Sequence, residues 1–321
     1  MFAGDGLLPI LTSQATGGVC NDGDFCAGDT RSREMPGLAA IHTIWVREHN
    51  RIAKLISGHL GHMGDERVFQ EARRINIAQM QNIVYNDWLP IMLGKSFTDD
   101  AKNGLQVTET GTRYDPNVDP SMENGFASAA FRIGHSMLQG MIQLTNPFTF
   151  NVETEIPLRL EFFNNTNYEN PNGVTNMMVG LSTQPMQRLD AHVTEEVTNF
   201  LFADAGSDHG EDLIARNLQR SRDHFLGSYL EYRKKFSSLG SEDIKCFDTR
   251  PSDIPKKKWD ELRNLYINPQ DIDLFTGGHV EDPVDDALVG ATFRGMIGKK
   301  DTILIWFEGR ESFYETIHLF S

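Results

Sequence analysis

From Ala27 to Ala53 the chain reads AGDTRSREMPGLAAIHTIWVREHNRIA. Between Pro36 and about Gly58, the apolar residues Leu38, Ile41, Trp45, Ile52 and Ile56 recur at spacings of three, four and seven, the mark of an amphipathic helix. Pro36 suits its first turn, where a missing N–H costs nothing, and Gly58 suits its end. The same stretch carries Asp29, Arg31, Arg33, Glu34, His42, Arg47, Glu48 and His49. Taken alone, Glu34, His42, Glu48 and His49 fit either a carboxylate-histidine metal site or a solvated helix face with paired charges. The spacing is not the His-Glu-x-x-His of zinc hydrolases, which favours the solvated face.

Working outward, Asp65 to Trp88 predicts a second helix, with Val68, Ala72, Ile75 and Gln79 or Met80 on one side and Leu89-Pro90 closing it. The two helices are expected to form a hairpin. Residues 95 to 123 are polar and rich in turn formers, and Gly125 to Leu144 then predicts a core helix. On it Phe131, His135, Leu138 and Ile142 fall at i, i+4, i+7 and i+11, leaving one imidazole in an apolar stripe. A buried histidine needs a partner for each ring nitrogen, so His135 is either a core residue satisfied by a carbonyl or a metal ligand whose second nitrogen is held. Residues 145 to 175 lack helical period and are expected to run over the surface. Helical signal returns at Glu195 to Phe202, Glu211 to Asn217, Asp223 to Phe236 and Lys257 to Tyr266. The polar cluster from Asn217 to His224 is expected in a turn between helices, tying them together, with Asp223 as an N-cap. Period-two alternation is scarce, so the reading is a mainly α single domain with long loops and little β structure.

Composition narrows the partners. A formal net charge of -15 and a pI near 5.1 disfavour nucleic acid, whose binding depends on clustered Lys and Arg. No run approaches the roughly 18 to 20 apolar residues of a membrane-spanning helix. The opening MFAGDGLLPILTSQ carries an acid and no basic n-region, so no signal peptide is expected in it. Cys20 and Cys26, six apart, either close a small disulfide loop or remain thiols, and Cys246 is left over. Asn164-Asn165-Thr166 is a glycosylation triplet.

Four segments in order resemble the animal haem peroxidases. Residues 27 to 53 are similar to the family's AGDxRxxExPxLxxxHTxxxREHNRxA signature, and Phe131-Arg132-Ile133-Gly134-His135 to its FRxGH. Asn217 to His224 is similar to an LxRxRDH segment, and Asp271-Ile272-Asp273-Leu274-Phe275 with Gly277-Gly278 to NIDLxxGG. The resemblance implies a helical haem-peroxidase-like domain over residues 27–321, with 1–26 as a lead-in. It implies haem b as cofactor, with His135 matching the proximal iron ligand and Asn217 the asparagine that accepts its other ring N–H. Arg31 matches the distal arginine that polarises peroxide. Glu34 matches the carboxylate esterified to a haem methyl, and Met35 the position of a sulfonium link. Arg132 and Arg222 match arginines near the haem propionates. The implied reaction reduces hydrogen peroxide and oxidises a halide, thiocyanate, phenol or other small donor, and the implied setting is secreted and calcium-bound. A tyrosine three residues before the proximal histidine marks a fatty-acid-oxygenating branch; Arg132 stands there instead.

Three departures bear on function. Nothing in Met1 to Phe25 resembles the family's distal-histidine and calcium-loop region, so the expectation is a partial domain. Phe225 follows Arg222-Asp223-His224 where a glycine is usual, and the pattern fades beyond Lys299. Two other readings therefore stand beside the peroxidase: an inactive relative acting as an extracellular adhesion module, and a helical carboxylate-histidine metalloprotein without porphyrin.

Overall fold

The computed structural model describes residues 27–59, 61–100, 121–164, 166–170, 172–204, 206–239 and 243–298. In chain order the helices are α1 (Pro36–His59), α2 (Asp65–Ile83), α3 (Leu89–Leu93), α4 (Lys95–Asp99) and α5 (Asn124–Ser128). A hairpin of β1 (Met141–Thr145) and β2 (Val152–Pro157) follows, then α6 (Thr166–Glu169), α7 (Gly173–Thr183), α8 (Glu195–Thr198), α9 (Leu213–Asp223), α10 (Tyr229–Phe236), α11 (Lys256–Leu265), α12 (Leu274–Val280) and α13 (Ala291–Ile297). The expected mainly α architecture is found, with two strands among the described residues. The chain divides into two compact units, one drawn from Met1–Asn76, Leu138–Gln187 and Thr194–Leu213, the other from Ile77–Met137, Arg188–Val193 and Ile214–Ser321.

In the first unit, Ile52 and Ile56 of α1 pack with Val68 and Ala72 of α2, and Asn76 Nδ2 donates to the Trp45 carbonyl at 3.1 Å. The predicted helical hairpin is present, but the predicted stripe on α1 is not wholly inward. Ile41 is 40% exposed, whereas Ala39, Ala40 and Thr43 are buried. Small side chains let a neighbour approach closely: the Thr43 hydroxyl meets the buried Tyr168 hydroxyl of α6.

In the second unit, Leu89, Met92, Leu93, Phe126, Ile133, Leu274, Phe275, Phe293, Met296 and Ile297 build the main core. A satellite core of Tyr229, Ile254, Trp259, Leu262 and Ile272 adjoins α11. Gly277 and Gly278 are where these cores need bare backbone. A Cβ on Gly277 would lie 2.1 Å from Tyr229 Cγ, and one on Gly278 2.1 Å from Phe293 Cζ, so aromatic rings occupy the space of any side chain.

Several boundaries differ from the sequence reading. The core helix expected over Gly125 to Leu144 does not form. Instead α5 is followed by a 3-10 segment, Ala130–His135, and then β1. Phe131 leaves helical geometry (φ -87, ψ 15), and Met141 to Thr145 pairs antiparallel with Val152 to Pro157. The stripe through Phe131, His135, Leu138 and Ile142 is therefore not a helix face. Its apolar residues serve a strand and a tight turn, a choice that a short apolar run leaves open. The stretch from 145 to 175 contains β2, α6 and the start of α7 rather than bare loop. Leu89-Pro90 does not end the second helix: a π-type turn, Val84–Trp88, widens the backbone, and Pro90 sits in the first turn of α3. Asp223 closes α9 rather than capping the next helix. Ser228 caps α10, in a capping box with Glu231. Cys20, Cys26 and the tail beyond Lys299 lie outside the described residues, and Cys246 is an exposed free thiol.

Candidate functional site

His135 ends the 3-10 segment. With three residues per turn, side chains three apart eclipse. Ala130, Ile133 and Ser136 accordingly turn inward and are buried, while Arg132 and His135 share the next edge. That edge meets Asn217 of α9, which is fully buried. Arg132 Nη1 donates to Asn217 Oδ1 at 2.8 Å, Asn217 Nδ2 lies 2.8 Å from His135 Nδ1, and Arg132 Nε donates to the Ala127 carbonyl at 3.1 Å. The amide nitrogen, rather than the oxygen expected from the resemblance, is the atom turned toward His135.

One face of α9 fixes this arrangement. Asn217 and Ser221 fall at i and i+4 on it, and His224 follows in the turn after the helix's last residue. Ser221 Oγ donates to the Ser128 carbonyl at 3.3 Å, and Asn124 Nδ2 donates to the His224 carbonyl at 3.1 Å, so α9 is clamped to α5. The expected polar tie between elements is present, carried on the helix and the turn that ends it. Arg222 lies off that face and gives both Nε and Nη2 to Asp273, at 3.0 and 2.7 Å. Asp273, the N-cap residue of α12, also accepts from the Tyr266 hydroxyl at 2.9 Å.

Burial, with smaller contributions from the charges of Arg132 and His279, lowers the His135 pKa to about 4. The ring is thus neutral near pH 7, as a metal-ligating imidazole must be, and among the described residues its hydrogen bond is made through Nδ1. These residues fit a site that would hold an iron porphyrin: a neutral imidazole oriented at Nδ1 by a buried amide would supply a nitrogen ligand to the iron.

His279 was missed by sequence reasoning, although an imidazole directly after two packing glycines was a signal. Its Nδ1 donates to the Phe275 carbonyl at 2.8 Å, and its ring lies between Phe275 and Phe293. Nε2 is buried and has no hydrogen-bond partner among the described residues. Burial lowers its pKa to about 4, against the raising influence of the Phe275 carbonyl and Asp190. The unfolded chain takes up this proton below pH 6.5 and the folded chain only near pH 4. Stability is therefore expected to fall by about 3 kcal/mol between those values and then level off. Unfolding midpoints at pH 6.5 and 4 should separate less for His279→Leu than for the parent chain. An equal separation would contradict a buried neutral ring.

The other predicted residues lie in the first unit, on the lead-in to α1. Asp29 caps a 3-10 turn, Thr30–Arg33, accepting from the Arg31 backbone N–H at 2.8 Å and from the Arg31 guanidinium at 3.0 and 2.7 Å. These hydrogen bonds hold the Asp29 carboxyl well below the usual range, and Arg31 remains largely exposed. Glu34 and Met35 are half-buried, and the Glu34 carbonyl accepts from Phe163 N–H at 3.1 Å. Glu48 pairs with Arg51 at 2.7 and 2.8 Å, and His49 packs on Phe69. Among the described residues no three His, Cys, Asp or Glu side chains converge for a metal ion, and Glu34, His42, Glu48 and His49 are each half-buried. No helix among them is long and apolar enough to cross a membrane.

The family model for animal haem peroxidase matches residues 2–315. A peroxidasin homologue of Caenorhabditis elegans is 39% identical over 300 residues, covering 88% of this chain and 22% of that protein. Chorion peroxidase of Aedes aegypti is 35% identical, over 87% of this chain and 33% of its own length. Thyroid peroxidase of Sus scrofa is 34% identical, over 91% and 31% respectively. The chain thus spans about a fifth to a third of these relatives. Peroxidase A from Dictyostelium discoideum superposes with a TM-score of 0.75 at 29% identity, over 99% of this chain and 57% of that one. A fatty acid alpha-dioxygenase of Oryza sativa, at 17% identity and a TM-score of 0.69, shares the fold. With a family match over nearly its whole length, the chain belongs to the animal haem peroxidase family.

Proposed function

We propose that this chain forms part of a haem b peroxidase domain that reduces hydrogen peroxide and oxidises a halide, phenol or other small donor. The observation that carries this reading is the cluster of His135, Asn217 and Arg132, held within 2.8 Å contacts, inside the family match. Haem, when bound, supplies the redox chemistry, passing two electrons to peroxide and recovering them from the donor.

The chain's own residues orient and tune. His135 offers Nε2 to the iron, and Asn217 sets the ring's orientation and basicity through Nδ1. Arg132 and Arg222 are assigned to the haem propionates, where a planar guanidinium pairs well with a carboxylate. Arg31 is assigned to polarising peroxide as the O–O bond breaks; its pairing with Asp29 raises its pKa, so it carries its charge throughout. Glu34 is assigned to an ester with a haem methyl and Met35 to a sulfonium link. Residues 27–321 are taken as one partial domain after a lead-in of 1–26, and the parent domain as secreted and calcium-bound, on the strength of the resemblance.

Haemin reconstitution of the chain, followed by hydrogen peroxide and a reducing donor, tests this. A Soret band that shifts with peroxide and recovers with donor is expected. A band that ignores peroxide would restrict the chain to a ligand site, and no band would end the proposal.

A further inference from the structure

The hydrogen bonds around Asn217 run in the sense that opposes iron ligation. We propose that Arg132 locks the haem-free chain in this unready form, so that loading haem requires Arg132 to release Asn217 and the amide to turn over. This rests on His135 being the iron ligand.

The argument follows from donors and acceptors. A guanidinium has only donors, so the Asn217 atom 2.8 Å from Arg132 Nη1 is the oxygen. The amide nitrogen then faces His135 Nδ1, also at 2.8 Å, and since that nitrogen only donates, Nδ1 must accept. In a neutral imidazole with Nδ1 as acceptor, the single ring hydrogen sits on Nε2. That is the nitrogen needed for iron, and in this tautomer it has no lone pair to give. Ligation through Nε2 requires the hydrogen on Nδ1, and therefore an acceptor there. Turning the Asn217 oxygen to His135 would aim its nitrogen at Arg132, donor against donor.

Little else can yield. The Asn217 backbone is fixed by the Ser221 clamp to α5 and the Arg132 backbone by its 3-10 register with His135, which leaves the Arg132 side chain, held by Asn217 and the Ala127 carbonyl, as the part that can move. The free motion is departure of the guanidinium, whose replacement partner is a carboxylate of the incoming porphyrin. Arg132 is thus a positioning residue that acts on His135 through Asn217.

The test uses the full chain with 15N-labelled histidine and needs no turnover. In the haem-free chain, His135 is expected to carry its hydrogen on Nε2. Asn217→Asp presents one oxygen to each neighbour, so its ring should move to the Nδ1–H form, and haemin should bind roughly ten-fold tighter because no charged hydrogen bond is broken. Arg132→Met should also make the Nδ1–H form appear, and the near-isosteric Asn217→Asp keeps the test open if Arg132→Met misfolds. An Nδ1–H ring already dominant in the unsubstituted chain overturns the lock, as does an Nε2–H ring that neither substitution changes. If the tautomers behave as stated but haemin gives no His135-dependent band, the ligand assignment fails and the lock on haem loading fails with it, leaving only the control of the His135 tautomer by Arg132.

Discussion

His135→Ala is expected to abolish the five-coordinate ferric haem spectrum of the reconstituted chain, and added imidazole is expected to restore it in part. The expectation rests on a ring that burial keeps neutral and that a fully buried amide orients. Removing the ring takes away the proposed iron ligand and leaves the core residues around it, such as Ala130 and Ile133, in place. Fold loss is separable by comparing circular dichroism of the two proteins. Haemin titration followed by absorption spectroscopy decides the matter: an unchanged spectrum in a folded variant would remove His135 from the site. Asn217→Leu should act in the same direction but less, weakening haem binding or activity by about 10- to 100-fold, as losses of outer partners of metal-ligating histidines do.

Arg233→Met is expected to cost stability on the order of 3–5 kcal/mol, a large part of what a domain has. Arg233 is on α10 and reaches Glu281, which follows α12, with its side chain 3% exposed. It donates to Asp253 at 2.6 and 2.8 Å, to Glu281 at 3.0 Å and to the Tyr229 hydroxyl at 3.1 Å. Glu281 also accepts from Tyr229 at 2.7 Å and from Thr292 N–H at 2.9 Å. Burial opposes the charge on Arg233, but Asp253, Tyr229 and Glu281 outweigh it and raise its pKa. Two buried acids share this one cation, so its removal takes the ion pair from Asp253 and leaves Glu281, whose pKa burial pushes up, with only its hydrogen bonds from Tyr229 and Thr292. Adding Glu281→Gln removes one of those acids and should recover part of the loss. Denaturant unfolding of the single and double variants is the measurement, and a loss below about 1 kcal/mol for Arg233→Met would show the carboxylates to be otherwise satisfied.

Much of the helical content was legible because it is written in local pattern. Pro36–His59 and Lys256–Leu265 match their predicted spans closely, since a first-turn proline, an end signal and a 3.6-residue period act within the helix itself. The stretch after Gly125 was not legible in this way. Its apolar spacing satisfies a helix template, yet the hydrogen bonds of Met141 to Thr145 go to Val152 to Pro157, which only a partner strand can supply.

The site divides along the same line. The sequence by itself determined that His135 and Asn217 are chemically notable and, by four ordered motifs, which family the chain belongs to. Residue identity and order carry that information directly. Only the tertiary structure decided that Arg132 reaches Asn217, that Arg222 is engaged by Asp273, and that His279 is buried with a bare nitrogen. Each depends on contacts between residues fifty or more positions apart, or on exclusion of water by several elements at once. Such relations are properties of packing, and no local periodicity encodes them.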